Sequence, residues 1–422
     1  MKPKYNLVHM KMLTFIDLFA GAGGLSEGFI RAGFTPVAHV EMDSSACDTI
    51  RTRTAYHYLL EANQIGKYND YLRKEISREE LWDFVPKEIM DLVIQAEISA
   101  DTIPTIFDKI DAALGKERVS LLIGGPPCQA YSLVGRSRDP NRMANDQRNY
   151  LFKEYGKFLK RYTPKFFVFE NVLGLLTAGN KKYFNEMTEL FKELGYSTSY
   201  EVLQSEDYGV LQKRRRVIII GKKGKEPFPF PELEKKSTVE YQLLRDLLSD
   251  LPHLKPGGGK HAMPYASETT EYLETHHLRN GVGFVTQHET RPHNENDLKI
   301  YRRAIKAWIE KGERLKYDKL PKEMQTHKNN RVFLDRYKVV DGGGHSHTMV
   351  AHISKDGHYY IYPDLKQVRS LSVREAARIQ SFPDNYFFEG GRGKAFKQIG
   401  NAVPPLMAES IANSLRKLLD KK

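Results

Sequence analysis

Through the first half of the chain, short apolar runs alternate with segments whose apolar positions return every three or four residues. The runs predict strands at Leu13–Leu18, Pro36–Val40, Leu121–Ile123 and Phe166–Phe169, and the helical spacing predicts helices over Leu25–Ala32 and Leu151–Tyr162. Strands that alternate with crossover helices specify a parallel sheet, so the expected fold class is α/β, doubly wound. A further pair, Ser197–Leu203 and Val217–Ile220, is joined through a polar loop and is expected to extend one sheet edge in antiparallel fashion.

After Gly221 the pattern changes. Clusters of proline and glycine, PFPFPE at 227–232, PGGG at 256–259 and GGG at 342–344, mark a loop-rich stretch. The expected division is a domain over 1–221 and a smaller second domain over 222–394. A helix from Pro404, with Met407, Ile411, Leu415 and Leu418 on one stripe, is expected to pack back on the first domain, so that 395–422 complete it.

Composition narrows the function classes. Lys and Arg number 65 against 53 Asp and Glu, a formal charge of +12, which favours a polyanionic partner such as nucleic acid. Hydrophobic residues at 40% exclude wholesale disorder. The two cysteines, Cys47 and Cys128, form no Cys-x-x-Cys pair, which supports neither a disulfide framework nor a structural zinc site. No apolar run approaches a membrane span, so no membrane association and a cytoplasmic location are expected. His345 and His347 read as parts of a polar loop, and no metal is expected.

The chemistry gathers where the predicted strands end. DLFAGAGGLSEGF at 17–29 is a strand, a glycine-rich turn and a helix start, where backbone N–H groups can face a ligand. A dinucleotide fingerprint needs glycine at position 26, and Ser26 stands there. Glu41 ends the second strand twenty positions after Gly21, the offset at which a carboxylate meets ribose hydroxyls. A nucleoside cofactor without a pyrophosphate fits both observations. GGPPCQAYS at 124–132 follows a buried strand, and two prolines fix the backbone that presents Cys128 at the carboxyl edge of the sheet. Cys47, in a predicted helix, reads as an inert core residue. The next strand ends in Glu170 and Asn171 at the same edge, where a partly desolvated carboxyl suits a general acid. In QKRRR at 212–216, Arg214 and Arg216 reach that edge if the following strand runs antiparallel.

These blocks, with SLSVREAARIQSFPD at 370–384 and QIGNAVPP at 398–405, resemble in type and order those of the DNA cytosine-5 methyltransferases of bacterial restriction-modification systems. The resemblance spans residues 17–405. It implies a Rossmann-like methyltransferase domain, a loop-rich target-recognition domain and S-adenosyl-L-methionine as cofactor. It implies that Cys128 attacks carbon 6 of a flipped cytosine in double-stranded DNA, that Glu170 serves ring N3, and that Arg216 holds O2. Gln212, Arg214 and Asn171 then order the site, and the segment Gln129–Arg148 closes over DNA. Asp17, Phe19, Gly21, Gly23 and Leu25 line the cofactor, Glu41 binds its ribose, Met42 lies near the adenine, and Pro126 and Asn401 complete the pocket. Where the family shows a compact Gly-Asp-Ile block, this chain has a charged insertion leading to QAEISADT at 95–102, so the adenine amino group falls to Glu97 or Asp101.

The variable stretch of about 222–368 is where the family reads sequence. Residues 299–338 carry 13 basic and 5 acidic side chains, suited to phosphate contact, while Ile300, Ile305, Trp308 and Ile309 are expected to face a core. A monomer is expected, and the resemblance leaves room for a cognate restriction endonuclease acting on the same site. An amino-group methyltransferase needs an Asp-Pro-Pro-Tyr-like motif, which is absent. An RNA cytosine-5 methyltransferase and a noncatalytic DNA-binding regulator are the two remaining alternatives.

Overall fold

The protein is described by a computed structural model over residues 13–127, 150–326 and 333–421. Its centre is a seven-stranded sheet built from β1 (Thr14–Leu18), β2 (Thr35–Glu41), β3 (Val93–Gln95), β4 (Leu121–Gly124), β5 (Phe166–Asn171), β6 (Tyr196–Gln204) and β8 (Arg215–Lys223). The order is β3-β2-β1-β4-β5-β8-β6. The first five strands are mutually parallel, while β8 runs antiparallel to both β5 and β6. The short β7 (Gln212–Lys213) lies just before β8 and pairs with β11 (Ser346–His347). All four predicted parallel strands and the antiparallel extension are therefore present. β3 was not expected, being only three residues long and preceded by charged sequence.

The strands read as unbroken apolar runs because both sheet faces are covered. Ile16, Leu18, Leu122, Phe167 and Phe169 point to one face, where α7 (Leu151–Tyr162) supplies Tyr155, Phe158 and Leu159. Phe15, Leu121, Ile123, Phe166 and Val168 point to the other, against Phe29 of α1 (Gly24–Arg31) and Met407, Ile411 and Leu415 of α13 (Pro405–Asp420). The last helix thus packs against α1 and the sheet. A Cβ at Gly28 would lie 2.5 Å from the Ala408 Cβ, so α1 and α13 meet at backbone contact.

Between β2 and β3 stand α2 (Ser44–Glu61), α3 (Ile65–Leu72), α4 (Arg78–Asp83) and α5 (Lys87–Met90), followed before β4 by α6 (Ile103–Leu114). The charged insertion is folded. Tyr68, Leu72, Leu81 and Val85 share a cluster with Val282 and Phe284 near the hairpin of β9 (Gly259–Met263) and β10 (Val285–Glu289). After β5, α8 (Lys182–Glu193) precedes β6, and α9 (Glu271–Thr275) separates β9 from β10.

Downstream, α10 (Glu295–Lys311) buries Ile300, Tyr301, Ala304 and Ile305 against Tyr317, Tyr337, Val339 and Ile361. Ile309, expected on that stripe, is exposed and Trp308 is half-buried, because Tyr301 and Ala304 carry the inward face instead. α11 (Val373–Ile379) is buried throughout and starts at a capping box formed by Ser372 and Glu375. Its Arg378 pairs with Asp250 and Asp384, all fully buried. α12 (Gly391–Asn401) then leads to α13. One apolar cluster joins Ala22 and Leu211 to Leu243, Met349, Phe382, Phe396 and Ala402, so the core runs across both expected domain boundaries. Among the described residues, no helix is long and apolar enough to cross a membrane.

Candidate active site

The glycine turn leaves β1 through Phe19 and Gly21, both with positive φ, at 57° and 56°. A Cβ at Gly21 would meet nothing within 4 Å, so this part of the turn faces open space. Its N–H donates to Glu41 Oε2 at 2.8 Å, while Glu41 Oε1 accepts from the N–H groups of Met42 at 2.9 Å and Asp43 at 2.8 Å. The carboxylate that ends β2 is therefore fixed beside the turn at the β1/β2 edge. Met42 is exposed, Phe19 is half-buried, and Leu25 is buried in the core beneath. Asp17 is sealed inside, 3.6 Å from His39 Nδ1, and burial pushes its carboxyl up from the ordinary range. Its place is under the turn rather than on its open side.

The far wall of the turn comes from the C-terminal blocks. A Cβ at Gly24 would collide with the Val403 carbonyl, and the Tyr386 hydroxyl donates to the Ala22 carbonyl at 2.5 Å. Asn401 is exposed at the end of α12, two residues before this contact. Tyr386 is a buttress that the sequence reading missed, since nothing in the spacing of SFPDNY marks a tyrosine as a partner for residue 22.

At the neighbouring strand ends, Glu170 of β5 and Arg216 of β8 form an ion pair with 2.7 Å between Oε1 and Nε, each side chain 12% exposed. A Cβ at Gly125 would stand 2.6 Å from Glu170 Oε2, so the GGPP segment runs directly against this carboxylate. Asn171, buried, donates from Nδ2 to the Pro126 carbonyl at 3.3 Å and accepts the Val172 N–H at 2.9 Å. Cys128 and Gln129–Arg148 lie outside the described residues. Cys47 does not compete for a nucleophile's role: it is buried, and burial pushes its thiol up to about 12.

Arg214 does not reach this edge. It is fully buried, and its guanidinium donates to the carbonyls of Met349 at 2.6 Å and Ala402 at 2.8 Å, and to Gly400 at 3.4 Å. Gln212 is buried beside it, donating to Gln380 Oε1 at 2.5 Å and the Ile379 carbonyl at 3.1 Å while its Oε1 accepts the Met349 N–H at 2.7 Å. Both therefore tie β7 and the start of β8 to the C-terminal blocks. Arg214 was expected to reach into the site; three carbonyls from distant segments hold it away.

Glu97 and Asp101 are both exposed. The Ala96 N–H donates to the Glu41 carbonyl at 2.9 Å, which brings position 97 close to the acidic strand end. His345 bonds Thr238 at 2.9 Å and His347 bonds the Tyr359 carbonyl at 2.7 Å, with burial pushing His347 down to about 3.

The mostly parallel sheet thus carries a glycine turn, a strand-end acid and an acid–arginine pair along one edge. The model of the C-5 cytosine-specific DNA methylases matches residues 13–80 and 98–417. The chain belongs to that family. Methyl transfer to carbon 5 of cytosine in DNA is the activity this membership carries. Among its relatives, the type II methyltransferase M.Bpa9945I of Bacillus paralicheniformis is 43% identical, over 97% of this chain and 99% of that protein. The type II methyltransferase M1.HphI of Haemophilus parahaemolyticus is 32% identical, over 98% and 89% respectively. A solved structure described as a DNA modification methyltransferase encoded within an E. coli prophage superposes with a TM-score of 0.61 at 22% identity, covering 97% of this chain and 100% of that one. The Entamoeba histolytica methyltransferase EhMeth follows at a TM-score of 0.53 and 14% identity, covering 98% and 100%. These two likenesses place this family member's sheet among the Rossmann-like methyltransferase folds.

Proposed function

We propose that this methylase is the modification enzyme of a type II restriction-modification system, methylating a cytosine flipped out of a specific duplex sequence through a covalent Cys128–C6 adduct. The Glu170–Arg216 pair at 2.7 Å, set against the GGPP segment that leads into Cys128, is the observation that carries this reading. Attack of the Cys128 thiolate on C6 pushes electron density into the ring, and a donor at N3 relieves it. Glu170 sits where it can hold that proton, and Arg216 fixes Glu170 while presenting donors toward O2. Once C5 carries the transferred methyl group, loss of the C5 proton and expulsion of the thiolate restore the aromatic ring. Asn171 holds the Pro126 carbonyl, and so positions the backbone two residues before the nucleophile.

S-adenosyl-L-methionine supplies an electrophilic methyl group. The residues present fit it: Gly21 leaves open space at the turn, and the Glu41 carboxylate stands 2.8 Å from the Gly21 nitrogen, where ribose hydroxyls can share it. Phe19, Gly23, Leu25 and Asn401 shape the surrounding wall, Asp17 supports the turn from below, and Met42 and Glu97 face the adenine end. We take Glu97 rather than Asp101 as the adenine-reading residue, because of the bond from Ala96 to Glu41. Residues 222–394 act as the target-recognition region, the enzyme works as a monomer, and a cognate endonuclease is its expected counterpart.

Incubation with S-adenosyl-L-methionine and a duplex carrying 5-fluorocytosine at target positions tests the mechanism, because after methyl transfer fluorine cannot leave as a proton does. A denaturation-resistant adduct mapped to Cys128 is expected, and Cys128→Ser should abolish it while retaining cofactor binding. Active enzyme that yields no adduct would overturn the covalent reading.

A further inference from the structure

Away from the sheet edge, three side chains converge at the start of α10. His293 lies in the loop before the helix, Asp297 in its first turn and His358 in the turn before Tyr360. One ligand atom from each falls within 4.8 Å of the others. His358 Nε2 is 3.8 Å from Asp297 Oδ1, and these two side chains are only 13% and 15% exposed.

The outer nitrogen of each ring is already engaged. His358 Nδ1 is 2.8 Å from the hydroxyl of buried Tyr301, and His293 Nε2 is 2.9 Å from the hydroxyl of buried Ser370. Those bonds leave His358 Nε2 and His293 Nδ1 as the nitrogens that can face the carboxylate. Tyr337 adds a third outer contact, its hydroxyl 3.4 Å from Asp297 Oδ1. Two imidazoles oriented by hydroxyls, with one oriented carboxylate, form the tripod that borderline divalent cations select, whereas Mg2+ and Ca2+ prefer all-oxygen sets.

We propose that His293, Asp297 and His358 bind one Zn2+ ion with a water molecule as fourth ligand. Tetrahedral ligation brings the three donor atoms to roughly 3.3 Å apart, a movement inward from atoms that already lie within 4.8 Å of one another. The ion would tie the first turn of α10 to the loop before it and to the 356–360 turn. Arg302, Arg303 and Lys306 are exposed on the same helix, so the site would set the pose of its cationic face. This inference does not depend on the mechanism proposed above.

The test is Zn2+ titration of the full chain after chelator treatment and dialysis, followed by calorimetry and elemental analysis. One equivalent is expected. His358→Asn and Asp297→Asn should each weaken binding by about 100-fold or more, Tyr301→Phe by about 10- to 100-fold through loss of its outer-shell bond, and His345→Gln not at all. The absence of a stoichiometric site in the wild-type chain, or its persistence in the His358 and Asp297 variants, overturns the proposal. Should those variants fail to fold, Co2+ titration of the wild-type chain decides. Paramagnetically shifted imidazole signals from two histidines are expected, and saturable binding without them is equally fatal.

Discussion

Arg214→Met isolates the buried clamp behind the active-site edge. The substitution keeps an unbranched side chain in a fully buried position but removes the donors that reach Met349 O at 2.6 Å and Ala402 O at 2.8 Å. Each stranded buried acceptor costs about 1–3 kcal/mol, so the two together cost roughly 2–6 kcal/mol. The long bonds to Gly400 add little at 3.4 Å. Removing a buried guanidinium also relieves its desolvation, which places the net loss in the lower half, at about 2–4 kcal/mol. That is a large share of a typical stability of about 5–15 kcal/mol. With a urea slope near the top of the usual range of about 1–3 kcal/mol/M, the unfolding midpoint should fall by about 1 M in circular dichroism at unchanged slope. Arg216→Met, two positions on, should shift the midpoint less than half as far yet lower methyl transfer roughly 100-fold, because it touches Glu170 rather than the clamp. Equal midpoints for wild type and Arg214→Met, or a larger stability loss in Arg216→Met, would refute this division.

Glu41→Ala should weaken S-adenosyl-L-methionine binding by about 1.5–3 kcal/mol, one charged hydrogen bond, and calorimetry showing wild-type affinity would reject the ribose assignment. Neutralising Arg302, Arg303 and Lys306 together should weaken binding to all duplexes alike, and the slope of log K against log salt should flatten by roughly 2.7 if each meets one phosphate; an unchanged slope would take α10 off the DNA. His276 is 3% exposed, and burial pushes it down to about 4 from the ordinary 6.5. Its folded state stays neutral where the unfolded state binds a proton, so its contribution is intact above pH 6.5 and is lost as pH falls from 6.5 toward 4. The loss is at most about 1.4 kcal/mol per pH unit, and His276→Phe should lessen the acid sensitivity of the urea midpoint across that window. Parallel curves for the two proteins would place the acid sensitivity in other groups.

The parts of the fold written in local pattern were readable. β5 is buried on both faces, so Phe166–Phe169 shows as a continuous apolar run, and α7 begins and ends where its apolar spacing does. The positions of Glu41, Glu170 and Arg216 at one sheet edge were legible because parallel strands end, and an antiparallel neighbour begins, along the same edge. What failed depended on partners distant in sequence. A basic residue beside a strand reads as a solvated or phosphate-binding group, yet Arg214 serves carbonyls 135 to 188 positions away. Ile309 was assigned inward because isoleucine is apolar, whereas the inward face is completed by Tyr301, whose hydroxyl is satisfied by His358. The same blindness hid β3, whose three residues carry no period of their own.

The wall behind Gly24 is made by Ala402 and Val403, and α1 rests on Ala408. A chain emerging from the ribosome therefore presents β1 and the glycine turn long before Ala402, Val403 and Ala408, which pack over them, have been synthesised. A chain stopped between residue 223, where β8 ends, and residue 402 has all strands of the sheet and none of that closure. The two sides of this contact are thus made at widely separated times in synthesis, the turn early and the residues that close it late.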